Sequence, residues 1–340
     1  MNFGRSLKTF LSDPSLGLLP LLRAWWRARA CGQRLHVIIM AGGLGDIVAA
    51  DPAIRAIIRP DEYVVVLVRP GYLSAFTFNP HVREAIRVDA YAQAILLRTM
   101  CPWPRWSNLH VDAHRCNVLN IPISNRNKAG ITAQNYYEHG TLADVYALTT
   151  CGHILGEPPK IYPDPAFLSQ AYLAEMFANA GAPLLIIHTQ ATEPVRSWPA
   201  EHLRVAMDLI LARTSMNILE MGLTPSLSAH GRVNSPGDKL TLPQQMAVMQ
   251  AGALFLGVDS GFAHIANALH LPSVLMLGAY KGFQDYLPWT LHPGDILLRS
   301  ETALKDISSA GVVEAISRLL SGVTRPAKNS GAQDIFQPPL

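Results

Sequence analysis

His36-Val-Ile-Ile-Met-Ala-Gly-Gly-Leu-Gly-Asp46 is a short apolar run that ends in three glycines and an aspartate. An unbroken apolar run bounded by glycine reads as a strand buried on both faces, as in parallel sheets. The residues that follow, 46–58, bring Ile47, Ala50, Ile54, Ile57 and Ile58 to near-helical spacing, with Pro52 inside the stretch. Strand, tight glycine turn and helix together open a βαβ unit.

The pattern continues outward from this point. Tyr63-Val-Val-Val-Leu-Val68 is a second buried strand, closed by Arg69-Pro-Gly71, and 85–88 and 109–111 are weaker third and fourth candidates. Residues 102–135 hold prolines and asparagines and show no period. A helix is expected over 141–155, ended by Gly156-Glu-Pro-Pro159. Alternation then restarts, with strands expected at 184–187, 216–221, 254–258 and 273–277 and helices at 200–212, 242–251 and 263–269. The expected fold class is α/β: two Rossmann-like domains, each on a parallel sheet, facing a central cleft. The expected boundaries are a basic segment over 1–34, an N-terminal domain over 35–162, a C-terminal domain over 166–323, and a tail over 324–340. That tail is rich in Pro, Gly, Asn and Gln and reads as disordered.

Composition agrees with two packed domains. Of 340 residues 49% are hydrophobic and 16% charged, which excludes a largely disordered chain. Cys31, Cys101, Cys116 and Cys151 show neither C-x-x-C spacing nor a nearby histidine cluster, so they read as reduced thiols. The net charge of +3 is local: residues 1–34 carry Arg5, Lys8, Arg23, Arg27, Arg29 and Arg34 against Asp13, and the rest is slightly acidic. A global basic field for nucleic acid is therefore absent. No apolar run is long enough to span a bilayer, and the leucine-rich stretch 16–22 lacks a cleavage site. Residues 18–30 mix leucines, Trp25 and Trp26 with Arg23, Arg27 and Arg29. That composition suits a helix on an anionic membrane surface, and equally a helix packed on the protein body with its arginines solvated.

Three segments carry possible chemistry. In the first, Gly42, Gly43 and Gly45 let backbone N–H groups approach a ligand at a helix start. The spacing is not G-x-G-x-x-G, the Lys-Ser/Thr of a P-loop is missing, and the second strand ends Val68-Arg69-Pro70 without an acid, which disfavours a dehydrogenase. Asp46 reads either as a helix cap or as a carboxylate at the sheet edge, able to take a proton late in a reaction. In the second segment, Asp259-Ser-Gly-Phe-Ala-His264, Ser260 and Gly261 offer a hydroxyl and free N–H groups to a diphosphate, with His264 on the first helical turn. In the third, Thr189-Gln-Ala-Thr-Glu-Pro-Val-Arg-Ser-Trp-Pro199, Thr189 and Thr192 are loop hydroxyls and Arg196 is a planar fork suited to phosphate oxygens. Trp198 reads as a core anchor. The chain has no Asp-x-Asp and no metal-spaced His/Glu set, so no metal and no cofactor are expected. The charge of a leaving diphosphate would then fall to helix N-termini and Arg196.

In this order the three segments resemble glycosyltransferase family 9, the bacterial heptosyltransferases. The matching residues are Gly45-Asp46 with Pro52, Arg196-Ser-Trp-Pro199, and Asp259 to His264 with Pro272 and Gly278 downstream. The resemblance spans about residues 36–290 and implies a GT-B fold. It further implies a nucleotide-diphospho-sugar donor, an ADP-sugar favoured, held mainly by the C-terminal half. The glycan or glycolipid acceptor would lie on the N-terminal half, beside the glycine turn. By that analogy Asp46 is the general base and Arg196 stabilises the departing diphosphate, with Thr189, Thr192, Asp259, Ser260, Gly261 and His264 on the donor. Transfer would be inverting and metal-independent, from the cytoplasm at the inner membrane face, toward a lipopolysaccharide core or another surface glycan. Two departures stand out: Arg196 occupies a place where lysine is common, and the turn Gly222-Leu-Thr-Pro-Ser226 lacks the acid that meets the donor ribose, Glu220 lying within the strand. A nucleotide-sugar epimerase of the same fold and a non-catalytic glycan- or partner-binding member are the alternatives.

Overall fold

The computed structural model describes residues 15–323 except 228, 230 and 281–285, so the expected tail at 324–340 and the cations Arg5 and Lys8 lie outside the described residues. Two parallel sheets organise the described chain. The N-terminal sheet contains β1 (Arg34–Ile39), β2 (Glu62–Val68), β3 (Glu84–Arg87) and β4 (Arg105–Asn108) in the order β3-β2-β1-β4. A short antiparallel pair, β5 (His114–Arg115) and β6 (Pro122–Ile123), follows it. The C-terminal sheet contains β7 (Leu184–His188), β8 (Asn217–Glu220), β9 (Val233–Asn234), β10 (Leu254–Val258), β11 (Ser273–Leu277) and β12 (Ile296–Arg299). Its order is β12-β11-β10-β7-β8-β9.

Both sheets are sandwiched by helices, which is why their central strands lack polar alternation. On the N-terminal sheet, α1 (Ser15–Ala30) and α4 (Tyr91–Met100) cover one face. The other face carries α2 (Leu44–Ala49), α3 (Asp51–Ile57) and α5 (Leu142–Cys151). On the C-terminal sheet, α7 (Ala200–Arg213) and α10 (Ser309–Val323) pack on one face. Opposite them lie α6 (Ser169–Met176), α8 (Leu242–Gln250) and α9 (Gly261–Ala268). This second core also takes in Leu44 and Val48 from the N-terminal half, so one apolar cluster runs through the junction.

Three expectations need correction. The stretch 46–58 is two helices, not one: Pro52 has no N–H to continue a ladder, and it stands in the first turn of α3 instead. The freed corner buries Asp51, which accepts hydrogen bonds from Arg55 Nε, the Lys160 N–H and the Tyr162 hydroxyl at 2.9 Å each. That anchors the interdomain segment to the N-terminal half. The fourth strand is Arg105–Asn108 rather than 109–111. It is an edge strand paired only to β1, so its half-buried Arg-Trp-Ser-Asn carries no apolar signal. The helix expected over 141–155 ends at Cys151, because Gly152 turns left-handed there at φ +82°.

A buried charge cluster ties the lower ends of three strands together. Glu62 on β2 accepts from Arg105 at 2.7 Å and from the Arg59 N–H at 3.0 Å, and its other contact is His36 Nδ1 at 3.0 Å. Burial holds His36 down at about pKa 4, so it is neutral at physiological pH.

His270, on the turn after α9, adopts φ +54°, a conformation that costs a side chain about 1 kcal/mol. Among the described residues its exposed ring meets only His292 in ring-to-ring contact, 4.2 Å away. His270→Gly is expected to raise unfolding stability by about 1 kcal/mol in urea titration. Equal or lower stability would mean that the His292 contact outweighs the backbone strain.

Candidate functional site at the cleft

Strand order reverses between β1 and β4 in one sheet and between β7 and β10 in the other. Open α/β sheets leave a crevice at such points, beyond the carboxyl ends of the strands. Here the two crevices face each other. After β1 the chain runs through Ala41 to Gly43, and the Ala41 N–H donates to buried His110 Nε2 at 2.9 Å, across the switch point. Helix α2 begins after Gly43, and α9 begins after Ser260 in the other half.

The helix starts are in contact. A Cβ placed on Gly45 would lie 2.8 Å from the His264 ring, and one on Gly261 would lie 2.5 Å from Leu44 Cβ. Only glycine permits that approach.

Asp46 is not the residue at the cap position. It stands on the first turn of α2 and reaches back, so that Oδ2 accepts from the Gly43 N–H at 2.7 Å. A Cβ on Gly42 would meet the same carboxylate at 2.7 Å, which explains that glycine. Oδ1 accepts from the Tyr146 hydroxyl of α5, also at 2.7 Å. A carboxylate offers about four lone-pair positions, so capacity remains on the cleft side.

The opposite wall comes from the C-terminal half. Arg196, at the end of a 3-10 turn, donates from Nη1 to Asp259 at 3.0 Å, and its guanidinium lies 5.7 Å from the Tyr280 ring centroid. Its Nε is 3.7 Å from Glu193 and makes no hydrogen bond. Burial raises the Asp259 carboxyl, opposed by Arg196. Ser260 caps α9, accepting from the Ala263 N–H at 3.4 Å, and lies 3.0 Å from His188 Nδ1. Burial lowers both imidazoles here, His188 to about 4 and His264 from its usual value against the pull of Asp259. Both are therefore neutral hydrogen-bonding groups at pH 7 rather than cations.

One cleft thus brings together Gly43, Gly45, Asp46, Arg196, Asp259, Ser260 and His264. Gly261 lies at its floor against Leu44. Thr189 is buried at 1% exposure, and its backbone carbonyl receives the Trp198 N–H. Thr192 is exposed and lines an adjoining groove with His188, Gln190 and Phe262. Trp198 is the core anchor expected of it, 2% exposed with Nε1 donating to the Ile307 carbonyl at 2.9 Å.

Several participants carried no local signal. Tyr146, His188, His114, Tyr136 and Tyr286 reach the site from distant segments, and no motif marks them. The segment 102–135, aperiodic in sequence, supplies the cleft wall through His114, Arg115 and Gln134, with Tyr136 beside it. Glu220, in the strand as expected, is 2% exposed and accepts from the Ser226 and Leu227 N–H groups at 2.8 Å each. It holds the Gly222 loop and has no oxygen directed at the groove by those bonds.

Comparisons with known proteins converge on the same family. Residues 162–289 match glycosyltransferase family 9 (heptosyltransferase). A 170-residue region, 43% of this chain, is 26% identical to lipopolysaccharide heptosyltransferase 3 of Escherichia coli, and the match spans about half the length of that relative. Among solved structures, the ADP-heptose lipopolysaccharide heptosyltransferase II of E. coli superposes with a TM-score of 0.62 at 16% identity, covering 86% of this chain and all of that one. A family 9 glycosyltransferase from Veillonella parvula gives 0.59 at 17% identity, covering 85% and 97%. The chain therefore has the GT-B fold, and its residues 162–289 are similar to glycosyltransferase family 9 (heptosyltransferase).

Proposed function

We propose that this protein is an inverting glycosyltransferase that moves a heptose-like sugar from a nucleotide-diphospho-sugar to a glycan acceptor. The observation that carries the reading is the meeting, in one cleft, of a carboxylate from one half and a guanidinium, a capped helix start and neutral histidines from the other. Direct displacement needs a base on one side of the anomeric carbon and charge stabilisation for the leaving group on the other. Asp46 takes the first role. Its two hydrogen bonds fix the carboxylate, and the acceptor hydroxyl gives up its proton as its oxygen attacks the anomeric carbon.

The second role belongs to Arg196 with the start of α9. Asp259 would act here chiefly by holding Arg196, since a carboxylate is itself repelled by phosphate. Ser260, Gly261 and His264 would donate to phosphate oxygens. Thr192 stands toward the nucleotide groove, and Thr189 supports the loop from beneath. The groove beside His188 is lined by Phe262, Met221 and Leu240 on its apolar side and by Gln190, Gln245 and Asp238 on its polar side. That pairing suits a planar base and a ribose, and the donors named for similar structures favour adenine. The acceptor would lie against His114, Arg115 and Gln134. A lipopolysaccharide-core or similar surface glycan fits the named relatives, with the protein working in the cytoplasm at the inner membrane face. No described helix is long and apolar enough to cross a membrane.

Asp46→Asn keeps the size of the side chain and its contact with Tyr146 but loses the base. With ADP-heptose as donor, turnover is expected to fall by about 10²–10⁴-fold while ADP affinity shifts less than about threefold. Retained turnover would return Asp46 to a structural role. Arg196→Ala is expected to weaken ADP binding by about 10–100-fold in calorimetric titration with EDTA present. Failure of the folded wild-type protein to bind ADP, GDP, UDP or CDP would favour a non-catalytic binding role. Binding that requires a divalent cation would contradict the assignment to Arg196.

A further inference from the structure

Helix α1 packs inward through Leu21, Ala24 and Ala28, each at most 1% exposed. Its opposite stripe is Leu19, Arg23 and Trp26, spaced i, i+4, i+7, with Leu19 53% and Trp26 66% exposed. Helix α4 lies beside it: a Cβ on Gly17 would meet Leu97 Cδ1 at 2.5 Å. From α4 and the turn after it, Leu96, Met100 and Trp103 also stand 44–49% exposed. Five large apolar side chains thus share the outer layer over one sheet face.

The charges on this layer have one sign. Neither α1 nor α4 contains an acid, and none occurs between Asp89 and Asp112. The neighbouring acids are all engaged: Glu84 with Arg27, Asp61 with Arg34, and Glu62 with Arg105. Arg23, Arg29 and Arg98 are exposed and have no ion pair among the described residues. Arg29 lies over Trp25, 5.0 Å from its ring centroid. At the edge of the layer Trp25, Trp103, Arg29, Arg34, Arg59 and Arg105 line one depression.

We propose that the outer face of α1 and α4 docks on an anionic lipid bilayer. Tryptophan and leucine enter the headgroup boundary while flanking arginines meet lipid phosphates, a combination that needs both apolar area and positive charge. A second copy of the chain is a poorer occupant, because a symmetric contact would set these arginines against one another. The contact goes beyond the transfer reaction and stands without it. It adds to α1 the separate helix α4 and Trp103, so that a folded surface rather than one amphipathic segment makes the contact.

The test is flotation of the full-length protein with vesicles of phosphatidylethanolamine and phosphatidylglycerol, against phosphatidylcholine vesicles. Binding to the anionic vesicles is expected to fall with added salt and to be at least tenfold weaker on the neutral ones. The triple variant Arg23→Glu, Arg29→Glu, Arg98→Glu should lose about a hundredfold in partitioning, with thermal unfolding and ADP binding retained. Trp26→Ser with Trp103→Ser should weaken binding at unchanged salt dependence. Absence of binding to anionic vesicles, equal binding to both kinds, or an unaffected charge variant would overturn the proposal. So would a concentration-dependent dimer that the same charge variant dissolves.

Discussion

The close approach of two helix starts is the constraint on which the site depends. Gly45 lies against the His264 ring and Gly261 against Leu44, each without room for a Cβ. Because of that contact, Leu44 and Val48 join the core of the other half, and the apolar cluster continues through the junction. Burial of this kind is non-directional and would tolerate some sliding; the glycine contacts do not. They set the distance between the two switch points, and with it the distance between Asp46 and the Arg196–Asp259 pair. A site assembled from two halves needs such a spacer, since a displacement of about 1 Å can cost 10²-fold in rate.

Electrostatics in the cleft follow from that geometry. Asp46, Glu193 and Asp259 line the cleft with Arg115 and Arg196, and burial raises Asp259 while Arg196 opposes it. The histidines of the cleft and of the adjoining groove are pushed toward neutrality, His264 and His114 in the first and His188 in the second. The cationic character of the C-terminal wall therefore rests on Arg196, supplemented by the N–H groups at the start of α9. Arg196 is held from two sides, by Asp259 and by the Tyr280 ring, so little side-chain freedom remains to be lost when an anion arrives. Arginine at this place presents an oriented fork rather than the point charge of a lysine.

Much of the fold was legible because buried parallel strands announce themselves: the runs at 36–40, 63–68, 184–187 and 254–258 all form central strands. The edges were less legible. β4 shows only Arg-Trp-Ser-Asn because one partner strand and partial exposure impose no alternation. Pro52 was visible as a disturbance, but whether it kinks a helix or starts a second one depends on Asp51 finding Lys160 and Tyr162 more than 100 residues away. The same limit applies to the site. Asp46, Arg196 and the Asp259–His264 turn lie in motifs, whereas Tyr146 and His188 reach their partners Asp46 and Ser260 across 100 and 72 residues. The wall at His114 and Gln134 comes from the aperiodic segment, where hydropathy carries no message. For α1, the geometry realises the packed reading of its composition: one stripe lies on the sheet, while the opposite stripe is exposed.

A fixed contact between two glycine-marked helix starts holds Asp46 opposite Arg196. Gly45→Val probes this contact, because Gly45 lies on the N-terminal half and its added methyls would press on the buried His264 ring. In a steady-state transfer assay run beside thermal unfolding and ADP titration, turnover is expected to fall by about a hundredfold or more. The same assay set should find a folded protein that still binds ADP, more weakly to the extent that the displaced His264 ring meets the diphosphate. Wild-type turnover in the Gly45→Val protein would contradict that role of the contact.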